Sequence, residues 1–193
     1  MESSEINRIN RILQGEPQLY GEIISAYKNA VFSLCYRMVY QKQEAEDLSQ
    51  EVFLKVYRNL GKYNQKMKFS TWILSIARNT CIDYLRKNRG ENVPLEEGIR
   101  TKEVPISAEE AYLYKEQKQE IERAISALPE EYRLLITLYH QQGQSYKEIT
   151  EILNMPMSLV KNRLHRGRKM LKEQLRPIKE EGSPWTAEAV KNI

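Results

Sequence analysis

The sequence predicts an all-α fold made of two small helical domains joined by a flexible linker. Three observations carry this. Leu, Ile, Lys, Glu, Arg and Gln dominate while glycine fills only 8 of 193 positions, a composition that favours helix over sheet. Apolar residues recur at helical spacing along most of the chain. Residues 89–106 (RGENVPLEEGIRTKEVPI) break that periodicity and hold two Gly and two Pro, as a linker does. The hydrophobic fraction, 41%, is low for one globule and sufficient for two small cores. The expected layout is therefore a first domain over 1–90, a linker over 91–106, a second domain over 107–176 and a tail over 177–193 that includes Trp185 and has no clear core face.

Taken in order, the first helix is expected over 5–14, with Ile6, Ile9 and Leu13 facing inward. Gly15-Glu16-Pro17 breaks it, and a second helix follows over 17–40 with Ile23, Ile24, Tyr27, Val31, Leu34, Cys35 and Met38 inward. The third, over 43–60, has the stripe Ala45, Leu48, Val52, Val56 and Leu60, and Gly61 is placed to end it. After the loop KYNQKMK, Ser70 is the expected N-cap of a helix over 70–88. Ser107 and Glu110 form a capping-box pattern that opens the second half. Leu128-Pro129 separates that helix from one over 129–141, which Gly143 closes.

Ser145 and Glu148 make a second capping box, opening a short helix with Ile149, Ile152 and Leu153 inward. Asn154-Met155-Pro156 reads as a turn, with Pro156 at an early helical position of the next helix. Two helices across a tight turn, the second basic, are the DNA-binding helix-turn-helix pattern. At about 100° per residue, Val160, Leu164, Gly167, Leu171 and Leu175 share the buried side of that second helix. Ser158, Lys161, Asn162, His165, Arg166, Lys169 and Lys172 share the opposite side. The residues near its start, Ser158, Lys161, Asn162 and His165, suit base edges in the major groove. Arg166, Lys169 and Lys172 suit phosphates, and Arg163 and Arg168 flank the buried stripe, where they serve either phosphates or packing.

Charge is distributed in blocks. Lys62 to Arg89 holds seven Lys/Arg and one acid, Glu91 to Glu131 eleven acids and five bases, and Pro156 to Lys179 eight bases and one acid. Basic segments on two separate modules fit a protein that meets nucleic acid with both, although solvated helix faces produce the same count. In the third helix, Glu44, Asp47, Glu51, Lys55 and Arg58 share an outer face. This is either a solvated surface or an acidic docking face for a basic partner. In the fourth, Trp72, Ile76, Asn79, Asp83, Arg86 and Lys87 lie opposite the face of Ile73, Leu74, Ala77, Cys81, Tyr84 and Leu85. An aromatic ring to stack on a base, an amide to pair with its edge and cations for phosphates together suit single-stranded DNA. For Phe69 packing is the favoured reading; for Trp72 packing and stacking are both open.

AEDLSQEVFLKVY followed by FSTWILSIARNTCIDYLRK resembles region 2 of the extracytoplasmic-function (ECF) sigma factors, and ALPEEYRLLITLYHQQGQSYKEITEILNMPMSLVKNRLHRGRKMLKEQL resembles their region 4. The resemblance covers residues 5–90 and 107–176 in the family's order and spacing; CYRM, FSTW and HRGR are similar to the sigma-W-like branch. It implies a sigma-70-family subunit that binds core RNA polymerase, recognises −35 and −10 promoter elements and promotes melting. By resemblance, Asp47, Leu48, Gln50 and Glu51 dock on the polymerase, with Leu48 also on the core stripe. Asn59, Tyr63, Ile76, Asn79 and Asp83 fall around the loop that holds a flipped −10 base, and Lys161, Asn162, Arg163, His165 and Arg166 on the −35 helix. The chain departs from the family at Met157-Ser158-Leu159, where a small residue, Gly and Thr are usual, at Thr150, where Ala is usual, at Tyr63, where Phe is common, and at Asp83, which repels phosphate. An anti-sigma partner is implied as well.

Two other classes compete: a helix-turn-helix regulator with a helical sensory half, and an RNA-binding adaptor. The regulator leaves the EDLSQE face and the 63–89 block unexplained; in the adaptor the basic helix would bind structured RNA and Trp72 would be core. No Gly-rich phosphate loop, metal-ligand spacing or nucleophile–base pair appears, so neither a cofactor, a metal nor an enzymatic activity is expected. Cys35 and Cys81 read as buried reduced thiols. With no apolar run of membrane-spanning length and no signal-peptide core, a cytoplasmic location without membrane insertion is expected.

Overall fold

A computed structural model describes residues 2–88 and 120–175. The linker, the Ser107–Glu110 capping pattern and the 177–193 tail lie outside the described residues. All regular elements among the described residues are helical: α1 Glu2–Leu13, α2 Tyr20–Val39, α3 Lys42–Asn59, α4 Phe69–Lys87, α5 over 120–126, α6 Glu130–Ile136, α7 Tyr146–Leu153 and α8 Met157–Gln174. In the N-terminal half α2, α3 and α4 pack pairwise, and in the C-terminal half α8 packs on α6 and α7.

The apolar stripes explain the packing. Ala45, Leu48, Val52, Val56 and Leu60 are all buried, and Phe53 and Ser49 widen that face. Ser49 is tolerated there because its hydroxyl donates to the Ala45 carbonyl at 2.6 Å. Ile73, Leu74, Ala77 and Cys81 are buried on α4, while Tyr84 and Leu85 are only partly so. Cys35 and Cys81 are both buried and free.

Several local expectations shift. In α1 the buried pair is Ile9 and Ile12, and Leu13 is 53% exposed. The helix is turned so that the Glu5 carboxylate meets the Tyr27 hydroxyl, and Leu13 falls on the outer side. Ser70 is not the cap of α4: the helix begins one residue earlier, and its N-cap, Lys68, makes no side-chain capping bond. Gly61 lies in the 3-10 turn Leu60–Lys62 and has no left-handed backbone angle. Gly143 does, at φ 63°, after α6 has widened into a π-helical turn over Thr137–Gln141. Pro156 is the N-cap of α8 and stands just outside it.

The helix-turn-helix forms as its sequence requires. Ser145 Oγ accepts from the Glu148 N–H at 3.3 Å and Glu148 accepts from the Ser145 N–H at 2.7 Å, so two orphan donors are satisfied reciprocally. Asn154 closes α7 in the left-handed region (φ 50°) and its N–H donates to the Thr150 carbonyl. Val160, Leu164, Gly167, Leu171 and Leu175 are buried, and each large apolar side chain so buried contributes about 1.5–3 kcal/mol. Gly167 is the point of closest approach: a Cβ there would lie 3.3 Å from Ile136 Cγ1 and 3.4 Å from Tyr132 Cβ.

Gly167→Leu should therefore force α8 away from α6 and destabilise the chain by about 1–3 kcal/mol. Urea unfolding followed by circular dichroism measures this, and an unchanged midpoint would contradict the close approach.

Candidate polymerase and nucleic-acid interfaces

Burying one stripe of α3 turns the opposite one outward. Asp47, Gln50 and Glu51 are exposed there, and Lys55 Nζ holds Glu51 at 2.7 Å. Leu48 does not belong to this face: it is 4% exposed and part of the core, so its contribution is packing. Two residues that the sequence reading passed over take its place. Leu54 is 56% exposed and Tyr57 43%; at about 100° per residue Leu54 falls between Gln50 and Glu51. An apolar centre within a charged rim is the composition of a protein–protein hot spot. The available signal was an apolar residue standing off the core stripe.

The loop between α3 and α4 is built on aromatic rings. Phe69 is buried at 1%, as packing required, and its ring meets Tyr27, Tyr63 and Trp72 at 5.1–5.5 Å between centroids. Trp72 is half-buried against Tyr63, 5.3 Å away, so it serves the loop's packing and leaves only part of its surface outside. The Tyr63 hydroxyl donates to the Met67 carbonyl at 2.6 Å and pins the loop. Asn59 is drawn inward, its amide donating to the Lys55 carbonyl at 2.8 Å.

On α4, Asn79, Asp83, Arg86 and Lys87 are exposed and Ile76 is half-buried. Arg78, absent from the sequence-derived set, donates to Asn79 Oδ1 at 3.0 Å and orients that amide. Its burial and the nearby Arg86 charge lower the Arg78 pKa. Lys66 and Lys68 in the loop are also exposed and basic; the run KYNQKMK carried that signal.

On α8, Ser158, Lys161, Asn162, His165, Arg166, Lys169 and Lys172 are all exposed, as the helical angle required. Arg163 is not on this face. It is half-buried, bridges to Glu131 at 2.8 Å and donates to Met155 Sδ at 3.6 Å. Arg168 donates to His140 Nε2 at 3.2 Å and lies over the Tyr139 ring. Both arginines tie α8 to the surrounding helices. Among the described residues no His/Cys/Asp/Glu group is arranged to hold a metal, and no helix is long and apolar enough to cross a membrane.

An all-helical protein with a charged, apolar-centred helix face in one half and a helix-turn-helix in the other is a DNA-binding factor equipped to dock on a second protein. Residues 23–91 match the Sigma-70 region 2 family and residues 118–171 the Sigma-70, region 4 family. The chain is 36% identical over 187 residues to the ECF RNA polymerase sigma factor SigW of Bacillus subtilis (strain 168), across 92% of this chain and 100% of that one. It is 30% identical over 179 residues to the RNA polymerase sigma-H factor of Pseudomonas aeruginosa, across 88% and 93%. The solved structure of the sigma factor RpoE with the anti-sigma factor NepR from Bartonella quintana shares the fold, at TM-score 0.67 and 20% identity over 81% of this chain and 96% of that one. The chain belongs to the ECF RNA polymerase sigma factors. It is thus a sigma factor, a regulatory subunit that directs RNA polymerase in transcription initiation.

Tyr63→Phe removes the hydroxyl that pins the loop and should cost about 0.5–1.5 kcal/mol. The expected sign is faster amide exchange confined to residues 63–68; unchanged exchange there would show that the Met67 bond holds nothing in place.

Proposed function

We propose a division of labour in which residues 1–90 dock on core polymerase and hold single-stranded −10 DNA, residues 107–176 read the double-stranded −35 element, and 91–106 link the two. The observation that carries this reading is the outward face of α8: seven polar or basic residues, aligned by a buried stripe, with the base-sized side chains at the end that a recognition helix inserts. Ser158, Lys161, Asn162 and His165 read bases, while Arg166, Lys169 and Lys172 hold phosphates. Asp47, Gln50 and Glu51 with Leu54 and Tyr57 form the polymerase face. Asn79, Ile76, the edge of Trp72, Arg86 and Lys87, with Tyr63 and Asn59 shaping the loop, form the −10 site. Asp83 disfavours phosphate beside it and so narrows which strand geometry the site accepts.

Strand opening in this scheme draws on binding energy to extruded bases and requires no nucleotide hydrolysis by this chain. The two basic sites gain avidity only when held at the correct separation, which the polymerase imposes. We also infer an anti-sigma partner, since the fold is shared with a sigma factor solved in such a complex.

Asp47→Lys and Glu51→Lys should abolish binding to core polymerase with helix content intact, and Leu54→Ala should weaken it by about 1–2 kcal/mol. A pull-down in which all three bind like the native chain would remove the docking assignment. On α8, Asn162→Ala should change which −35 bases are tolerated, by about 1–3 kcal/mol at the affected pair. Lys172→Ala should instead weaken all −35 sequences alike and reduce the salt slope by about one unit. Transcription from a −35 library at two salt concentrations distinguishes them, and the reverse pattern would mean that the helix lies in the groove the other way round.

A further inference from the structure

The first turn of α8 carries two apolar side chains that the core does not take. Met157 and Leu159 are each 37% exposed, and they stand on either side of the exposed Ser158. At about 100° per residue, Met157 lies about 60° from the buried Val160 and Leu159 about 100° from it, so Leu159 is turned farther out. Its neighbours along the helix are Asn162 and Arg166, both exposed. A helical side chain leans back toward the N-terminus of its helix, so Leu159 projects toward the end that a recognition helix inserts. The surface around it is basic. From Met157 to Lys172, α8 holds no acidic residue, and Lys161, Arg166, Lys169 and Lys172 are exposed. The partner that suits an apolar side chain within such a rim is a polyanion with an apolar group to offer.

We propose that Leu159 is a specificity-determining residue that reads a thymine of the −35 element through its C5-methyl group. The proposal rests on the assignment of α8 to the −35 major groove. Base edges in that groove present hydrogen-bond donors and acceptors, and the thymine methyl is the one bulky apolar group among them. Against any other base Leu159 would cover a polar atom and strip its hydration without offering it a partner. Against thymine it buries a methyl group, which raises affinity about fourfold. The hydrogen-bonding side chains Lys161 and Asn162 leave that methyl unread. Asn162 lies one turn on, about 4.5 Å along the helix axis, while base pairs are spaced about 3.4 Å. The thymine read by Leu159 therefore lies one or two base pairs from the pair that Asn162 reads.

The test uses holoenzyme reconstituted from core polymerase and the full chain, on a promoter fragment from which the chain directs initiation. Each −35 thymine in turn, on either strand, is replaced by deoxyuridine, which lacks the methyl group and keeps every hydrogen-bonding group. Native holoenzyme should bind about fourfold more weakly when one such thymine is replaced. That thymine should lie within about two base pairs of the position whose preference Asn162→Ala changes. Holoenzyme with Leu159→Ala should bind the two duplexes equally, and Leu159→Met should keep the difference. Leu159 is exposed and both replacements are good helix formers, so helix content should stay native. A native holoenzyme indifferent to every replacement, or a loss that Leu159→Ala leaves unchanged, would overturn the reading by Leu159 while the Asn162 result stands. An Asn162→Ala variant with unaltered −35 preference would instead overturn the assignment of α8 to the groove.

Discussion

A helix that buries one stripe can offer a partner only the other, and the exposed surfaces of this sigma factor follow from that constraint. Val160, Leu164 and Leu171 are fully or nearly fully buried, so the basic and amide side chains between them stand outward without competing for the core. Gly167 lets the backbone of α8 approach Ile136 and Tyr132 closely enough for that burial. The same logic governs α3, where Val52 and Val56 are completely buried and Asp47, Gln50 and Leu54 are therefore presented together. In the proposed interfaces the side chains stand on helices whose orientation is set by packing, and the 63–68 loop is held by Tyr63 and the rings around Phe69.

The charges divide into those that face outward and those that are spent internally. Arg163 and Arg168 are basic residues on the helix proposed to bind DNA, yet their guanidinium groups are engaged with Glu131, Met155 and His140. Glu148 serves twice, as a helix cap and as the partner of Lys68. Burial alone would raise its carboxyl, but the Lys68 ammonium and the Ser145 donors outweigh that and hold it below the usual carboxylate range. A residue that ends one helix's orphan bonds and also bridges the two halves couples the fold of the helix-turn-helix to its placement.

Much of this was legible in the sequence. The stripes of α3 and α8, the Ser145–Glu148 box, the burial of both cysteines and the outward face of α8 all follow from periodicity and capping chemistry, which are local. The misreadings were of two kinds. Some turned on a step of one residue: Ile12 in place of Leu13 at the core, Phe69 in place of Ser70 at the start of α4. A one-residue step rotates a helix by about 100°, and the Glu5–Tyr27 contact that selects the rotation is distant in sequence. Others turned on partners that no local pattern names. Leu54 and Tyr57 are apolar yet exposed, and Arg163, for which phosphate contact and packing were both open, meets Glu131 across 32 positions. The contact between the halves lies beyond local pattern as well, because the polar contacts that cross it among the described residues join positions 80 to 112 apart.

We propose a coupling, within one chain, of a polymerase-docking face to a promoter-reading helix. Its most direct measurement is run-off transcription by core polymerase with the purified chain added, with start sites mapped across a genomic library of the source's own promoters. Discrete start sites that share a −35 and a −10 element should appear only when the chain is present. Stable association with core polymerase that produces no chain-dependent start sites would contradict it.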